Sequence, residues 1–219
     1  MAWRLHVLVL AVVAALATTP AHGAPPGLRT TGIARKADML VVSIGLQDLF
    51  QPRDMDRLLS GFSTRVLIRV AVFRSDSATP VVQAMQLSEI VYDLWDEKLR
   101  VRLSTDKPAK PQVLQVATSK AAVDAATSLT DFPVVEVAKL QTRVTYHLNV
   151  RADLNPISEE LVSNVRRWLS RPSGRGKAGS GDSFFGSFVS VFVNPRMDDS
   201  ERVVQIVSQP FQIPATELP

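Results

Sequence analysis

The chain has 219 residues, with 25 Lys+Arg against 21 Asp+Glu, 3 His and no Cys. Hydrophobic residues make up 46% and charged ones 21%, the balance of a packed globular domain rather than of a disordered chain. Without cysteine there is no disulfide, no thiolate nucleophile, no Cys-ligated zinc or iron–sulfur centre and no lipid-modified Cys anchor.

The chain opens with a positive start, Met1-Ala2-Trp3-Arg4, and an apolar run from Leu5 to Ala17 interrupted by His6. A helix of that length reaches roughly 20 Å at about 1.5 Å per residue, short of the ~30 Å hydrocarbon core. Pro20 then breaks the run, and the small residues Ala21 and Gly23 stand two apart. This order predicts a signal peptide over residues 1–23, and with it export to the periplasm or another extracytoplasmic space; an uncleaved anchor is the alternative. Cleavage after Gly23 leaves 196 residues with 24 basic and 21 acidic side chains, a net charge of +3, and His147 as the single imidazole. No later stretch approaches eighteen uninterrupted apolar residues, which predicts a soluble mature form, free of the membrane or peripheral to it. So small a charge excess is a weak attraction for anionic partners, and export argues against nucleic acid.

Ala24 to about Lys36 carries Pro25, Pro26, Gly27 and Gly32 and reads as a flexible leader, 24–37. A single β-rich domain is expected over 38–213. Asp38–Leu46 predicts its first strand. Gln51–Gly61 suits a short helix, with Pro52 near the start and Gly61 as the stop. In Arg65–Arg74, Val66, Ile68, Val70 and Val72 share one face, while Arg65, Leu67, Arg69, Ala71 and Phe73 take the other. Ser88–Trp95 and Lys98–Ser104 flank Asp96-Glu97 as a hairpin; the missing Gly predicts a turn longer than two residues. Ser119–Leu129 predicts a helix. The clearest strand is Arg143–Asp153, where Val144, Tyr146, Leu148, Val150 and Ala152 alternate with Arg143, Thr145, His147, Asn149, Arg151 and Asp153. That rhythm places aliphatics in the core and charges in water.

Ile157–Ser170 predicts an amphipathic helix with Leu161, Val165 and Trp168 on one face. A mobile Gly/Ser/basic loop over 171–183 follows, then a final β pair, Phe184–Val193 and Glu201–Phe211. Many strands and few helices, in hairpin order, predict a mainly β fold (β-rich α+β): an antiparallel β-sandwich-like domain with two or three short helices.

Candidate chemistry is sparse. Any Ser-His-Asp arrangement must use His147, which alternation places on the polar face of its strand. One His without Cys cannot close a zinc shell, and neither a metal nor a cofactor is expected. The pairs Asp96-Glu97, Glu159-Glu160 and Asp198-Asp199 sit at turns or a helix start, where turn and cap duty explains them. Gly176-Lys177 suggests a phosphate loop, but Arg171 stands where Gly is needed and Ala178 where Ser or Thr would hold magnesium. Arg166, Arg167, Arg171, Arg175 and Lys177 are the candidate contacts for an anionic partner. Trp95 and Trp168 read as core anchors before ligand platforms.

Val66-Leu67-Ile68-Arg69-Val70, Val91-Tyr92-Asp93-Leu94-Trp95-Asp96-Glu97-Lys98, Ala121-Ala122-Val123 and Tyr146-His147-Leu148-Asn149-Val150-Arg151 occur here in that order. The series resembles an uncharacterised bacterial family of exported proteins with a domain of unknown function, often encoded beside nitrogen-regulation-type sensor kinases. The likeness spans about 38–170, and Phe184–Phe211 departs from the pattern. The resemblance implies an envelope protein and brings no catalytic residues with it.

Residues and resemblance together predict a non-catalytic exported envelope protein: a β-sandwich interaction or scaffold domain that binds an envelope protein or cell-envelope component through sheet edges or loops. The alternative is a carrier holding a lipid or other apolar ligand between its sheets. A hydrolase using His147 ranks below both, because no cooperating set of reactive groups accompanies it.

Overall fold

The computed structural model describes residues 27–28, 31–106, 110–156 and 200–214. In chain order the elements are β1 (Gly27–Leu28), β2 (Gly32–Lys36), β3 (Met39–Gly45), α1 (Pro52–Arg57), β4 (Thr64–Arg74), β5 (Pro80–Asp93) and β6 (Lys98–Thr105). There follow β7 (Gln112–Val116), α2 (Ser119–Thr127), β8 (Ser128–Glu136), β9 (Thr145–Pro156), β10 (Ser200–Val207) and β11 (Phe211–Gln212). Short 3-10 turns occupy Gln47–Leu49, Leu58–Ser60 and Val137–Lys139.

The larger sheet runs β1-β10-β9-β4-β5-β6-β7, with β11 beside the start of β9, and the smaller runs β2-β3-β8. Its pairings are antiparallel except for β1 with β10. The alternation of β4 and β9 sets their register: Val66 opposes Leu154, Ile68 opposes Ala152, Val70 opposes Val150 and Val72 opposes Leu148. These side chains meet Leu40, Val42 and Ile44 of β3 and Leu129 and Phe132 of β8 across one continuous core. α2 closes that core with Ala122, Val123 and Ala126. It starts where the Thr118 hydroxyl accepts the Ala121 N–H at 3.1 Å, and the Ser88 hydroxyl donates to its Ala126 carbonyl at 3.2 Å. The result is the antiparallel β-sandwich with short helices that the alternation predicts.

The helix expected after Gln51 is α1 with its 3-10 extension, and Gly61 stops it in left-handed backbone (φ 81°). Arg202 of β10 fixes this segment to the sheet. Its Nη1 donates to Asp54 at 2.6 Å and to the Leu49 carbonyl at 2.7 Å.

Two expectations are corrected, and a third lies partly outside the described residues. Gly32–Lys36, within the stretch read as a leader, is β2 and pairs with β3 along its whole length. Glu201–Phe211 supplies β10 and β11, both of which pair with β9; its expected partner 184–193 lies outside the described residues, as do the helix 157–170 and the loop 171–183. Charges assigned to water on β4 and β9 are buried: Arg69 and Asp153 are each 1% exposed and Arg151 5%. These strands are central in the larger sheet, and their second face also buries Leu67, Ala71 and Phe73.

Candidate functional site

The buried charges form one cluster. Asp153 accepts from Arg69 Nη2 at 2.5 Å and from Arg151 Nε and Nη2 at 3.0 and 2.9 Å, while the Ser200 hydroxyl donates to it at 3.1 Å. Burial pushes the Asp153 carboxyl up, but the Arg69 and Arg151 guanidiniums outweigh it and hold the group below the usual carboxylate range. The cluster ties β4, β9 and β10 together at the centre of the sheet. Its chemistry is that of a structural anchor.

His147 lies on the same face of β9, half-buried, with its ring stacked on Phe73 at 5.5 Å between centroids and 10° between planes. No acid or hydroxyl of the described residues hydrogen-bonds it, so no Ser-His-Asp set is assembled around it among the described residues. Among the described residues no group of three or more His, Asp or Glu is placed to hold a metal ion. Among them, too, no helix is long and apolar enough to cross a membrane. The expected anionic-partner contacts Arg166, Arg167, Arg171, Arg175 and Lys177 lie outside the described residues, as do Glu159-Glu160, Asp198-Asp199 and Trp168.

The structure places its unusual surface elsewhere, at the β5–β6 turn. Residues 94–97 connect Asp93 to Lys98, the last paired residues of the two strands, so the turn is longer than two residues as expected. The Asp93 carboxylate organises it, accepting the Trp95 N–H at 3.1 Å and the Asp96 N–H at 3.3 Å and pairing with Arg100 at 3.1 Å. Those two N–H groups, and then Arg100, hold the Asp93 pKa below its ordinary value. Glu97 closes the turn at φ 50°, the left-handed conformation that glycine usually supplies.

With the turn held this way, Leu94 and Trp95 point into solvent, 68% and 95% exposed. The core role expected for Trp95 is therefore corrected: it sits in the turn, beyond the alternation of β5. The end of the α1 segment adds Leu59 and Phe62, 47% and 79% exposed, on either side of Gly61. A Cβ at Gly61 would meet Leu94 at an ordinary contact distance of 3.7 Å, so the left-handed backbone rather than space calls for glycine here. Gly61, Val91, Tyr92, Asp93, Leu94, Trp95 and Arg100 line an open groove of about 240 Å³. Leu94 and Trp95 thus line one groove, and Leu59 and Phe62 flank Gly61 in its wall along the chain, whereas single exposed apolar residues are ordinary on a protein surface. The signal available in the sequence was Leu94-Trp95 directly before a charged turn, and Phe62 directly after a helix stop.

The family model described as a domain of unknown function (DUF4390) matches residues 27–158, more than half of the chain. The chain belongs to the DUF4390 family. The match contains the tip, the buried Arg69–Asp153–Arg151 cluster and all strands from β1 to β9, whereas β10 and β11 lie beyond it. No curated protein and no solved structure matches the chain.

Proposed function

We propose that this DUF4390 protein is a non-catalytic interaction domain of the bacterial envelope that docks to its partner through the apolar tip. Export rests on the charged start, short apolar run and small residues of positions 1–23. The observation that carries the docking reading is the tip itself, where Trp95 and Leu94 line an open groove and stay in water, with exposed Leu59 and Phe62 on either side of Gly61 in its wall. Aromatic anchors beside a pocket are the usual centre of a protein interface.

The sheet edges offer less. β7 is five residues long and follows Lys110-Pro111, β2 carries Arg35 and Lys36, and β8 contains Pro133 with a register shift beside it. Charge, proline and irregularity are the devices that discourage strand addition. The carrier reading has no observation in its favour, because the facing residues of the two sheets form one packed cluster.

Site-specific photo-crosslinking in living cells tests this. A crosslinker at Phe62 is expected to give a discrete adduct that Trp95→Ala abolishes, while one at the remote, exposed Gln141 gives none. Equal labelling from both positions, or none from Phe62, would overturn the docking reading.

A further inference from the structure

Resting on that docking reading, we infer that the tip's partner is a protein segment presenting an apolar knob flanked by basic residues. The charge around the tip selects it. Asp96 and Glu97 are exposed directly beside Trp95. Among the described residues neither carboxylate is in an ion pair, whereas Arg100 is paired with Asp93. Lys98, at the foot of the turn, is paired with no described acid either. Two carboxylates against one lysine leave the turn beside the groove negative, although the whole chain is basic.

A negative rim repels an anionic lipid surface and attracts a cationic partner. The groove adds a second discrimination. At about 240 Å³, with Tyr92 along one wall and the Asp93–Arg100 pair in its lining, it suits one large apolar side chain rather than a broad acyl surface. A basic residue beside that knob would meet Asp96 and Glu97 at the turn. This is the layout of an apolar hot spot with a charged rim that sets partner choice.

The test uses the full chain and three probes: a synthetic amphipathic peptide of Leu, Phe and Lys, its counterpart with Glu for Lys, and vesicles of phosphatidylethanolamine with phosphatidylglycerol. The basic peptide is expected to bind at least about tenfold more tightly than the acidic one at low salt, because Asp96 and Glu97 attract the first and repel the second. Asp96→Asn with Glu97→Gln should erase most of that preference, and Trp95→Ala should remove binding. Equal binding of the two peptides would overturn the charge selection while leaving apolar docking intact. Trp95-dependent binding to the vesicles would replace the protein partner with a membrane. If neither peptide binds, the inference fails, and the Phe62 crosslinking result decides the docking reading separately.

Discussion

Replacing Asp153 with Asn removes one charge at the most buried ionic position in the described structure and changes almost no volume. The aspartate is 1% exposed and accepts from two guanidiniums that are themselves 1% and 5% exposed. An amide there would turn N–H donors toward Arg donors and leave two like charges buried without the carboxylate between them. Breaking a buried pair in this way costs about 3–5 kcal/mol, a large share of the roughly 5–15 kcal/mol that holds a domain together. For a domain of this size the melting temperature should fall by roughly 10 °C, read by far-UV circular dichroism.

Acid gives an independent check. Because the folded pKa of Asp153 lies below its unfolded value, its contribution is complete above about pH 4 and disappears as the pH falls through the lowered pKa. Wild type should therefore lose stability more steeply than Asp153→Asn below about pH 4. Replacing all three charges, as Arg69→Met, Arg151→Met and Asp153→Leu, should recover most of the loss, since uncompensated charge is the larger part of it. A loss of less than about 1 kcal/mol in Asp153→Asn would refute this account of the cluster.

Other substitutions separate surface from scaffold. Trp95→Ala should change stability by no more than about 0.5 kcal/mol, while Leu99→Ala, fully buried four residues later, should cost about 2–5 kcal/mol by urea unfolding. Arg202→Met should cost about 2–3 kcal/mol and loosen α1, seen as faster amide exchange there, because Asp54 and the Leu49 carbonyl lose their donor. Ala37 closes the β2–β3 turn at φ 50°, so Ala37→Gly should raise the unfolding free energy by about 0.5–1 kcal/mol, read by urea unfolding.

Legibility followed regularity. β4 and β9 could be read directly because a strict two-residue rhythm records which face meets the core. β8 could not: Asp131 and Pro133 interrupt it, and the register shifts opposite Leu40/Val41 and Val42/Ile44 break the period. β7 is too short to display one. The same rhythm misled for Arg69, Arg151 and Asp153, because alternation shows that they share a face and says nothing about whether that face meets water. Burial there follows from the central place of β4 and β9 in the sheet, which sequence order does not encode. At the tip, Leu94-Trp95 looked like the end of a strand. Only the Asp93 carboxylate, drawing the Trp95 and Asp96 N–H groups onto itself, shows why Trp95 leaves the core.

The docking claim is tested most directly at Trp95 itself. In protein labelled with fluorotryptophan, the fluorine resonance that disappears in Trp95→Phe reports the solvent contact of this one ring. On addition of solubilised envelope material it should shift or broaden, and it should not do so when Phe62 and Leu94 are replaced by Ser. A Trp95 resonance that stays sharp and unshifted in the presence of the envelope would contradict the assignment of the tip as the docking surface.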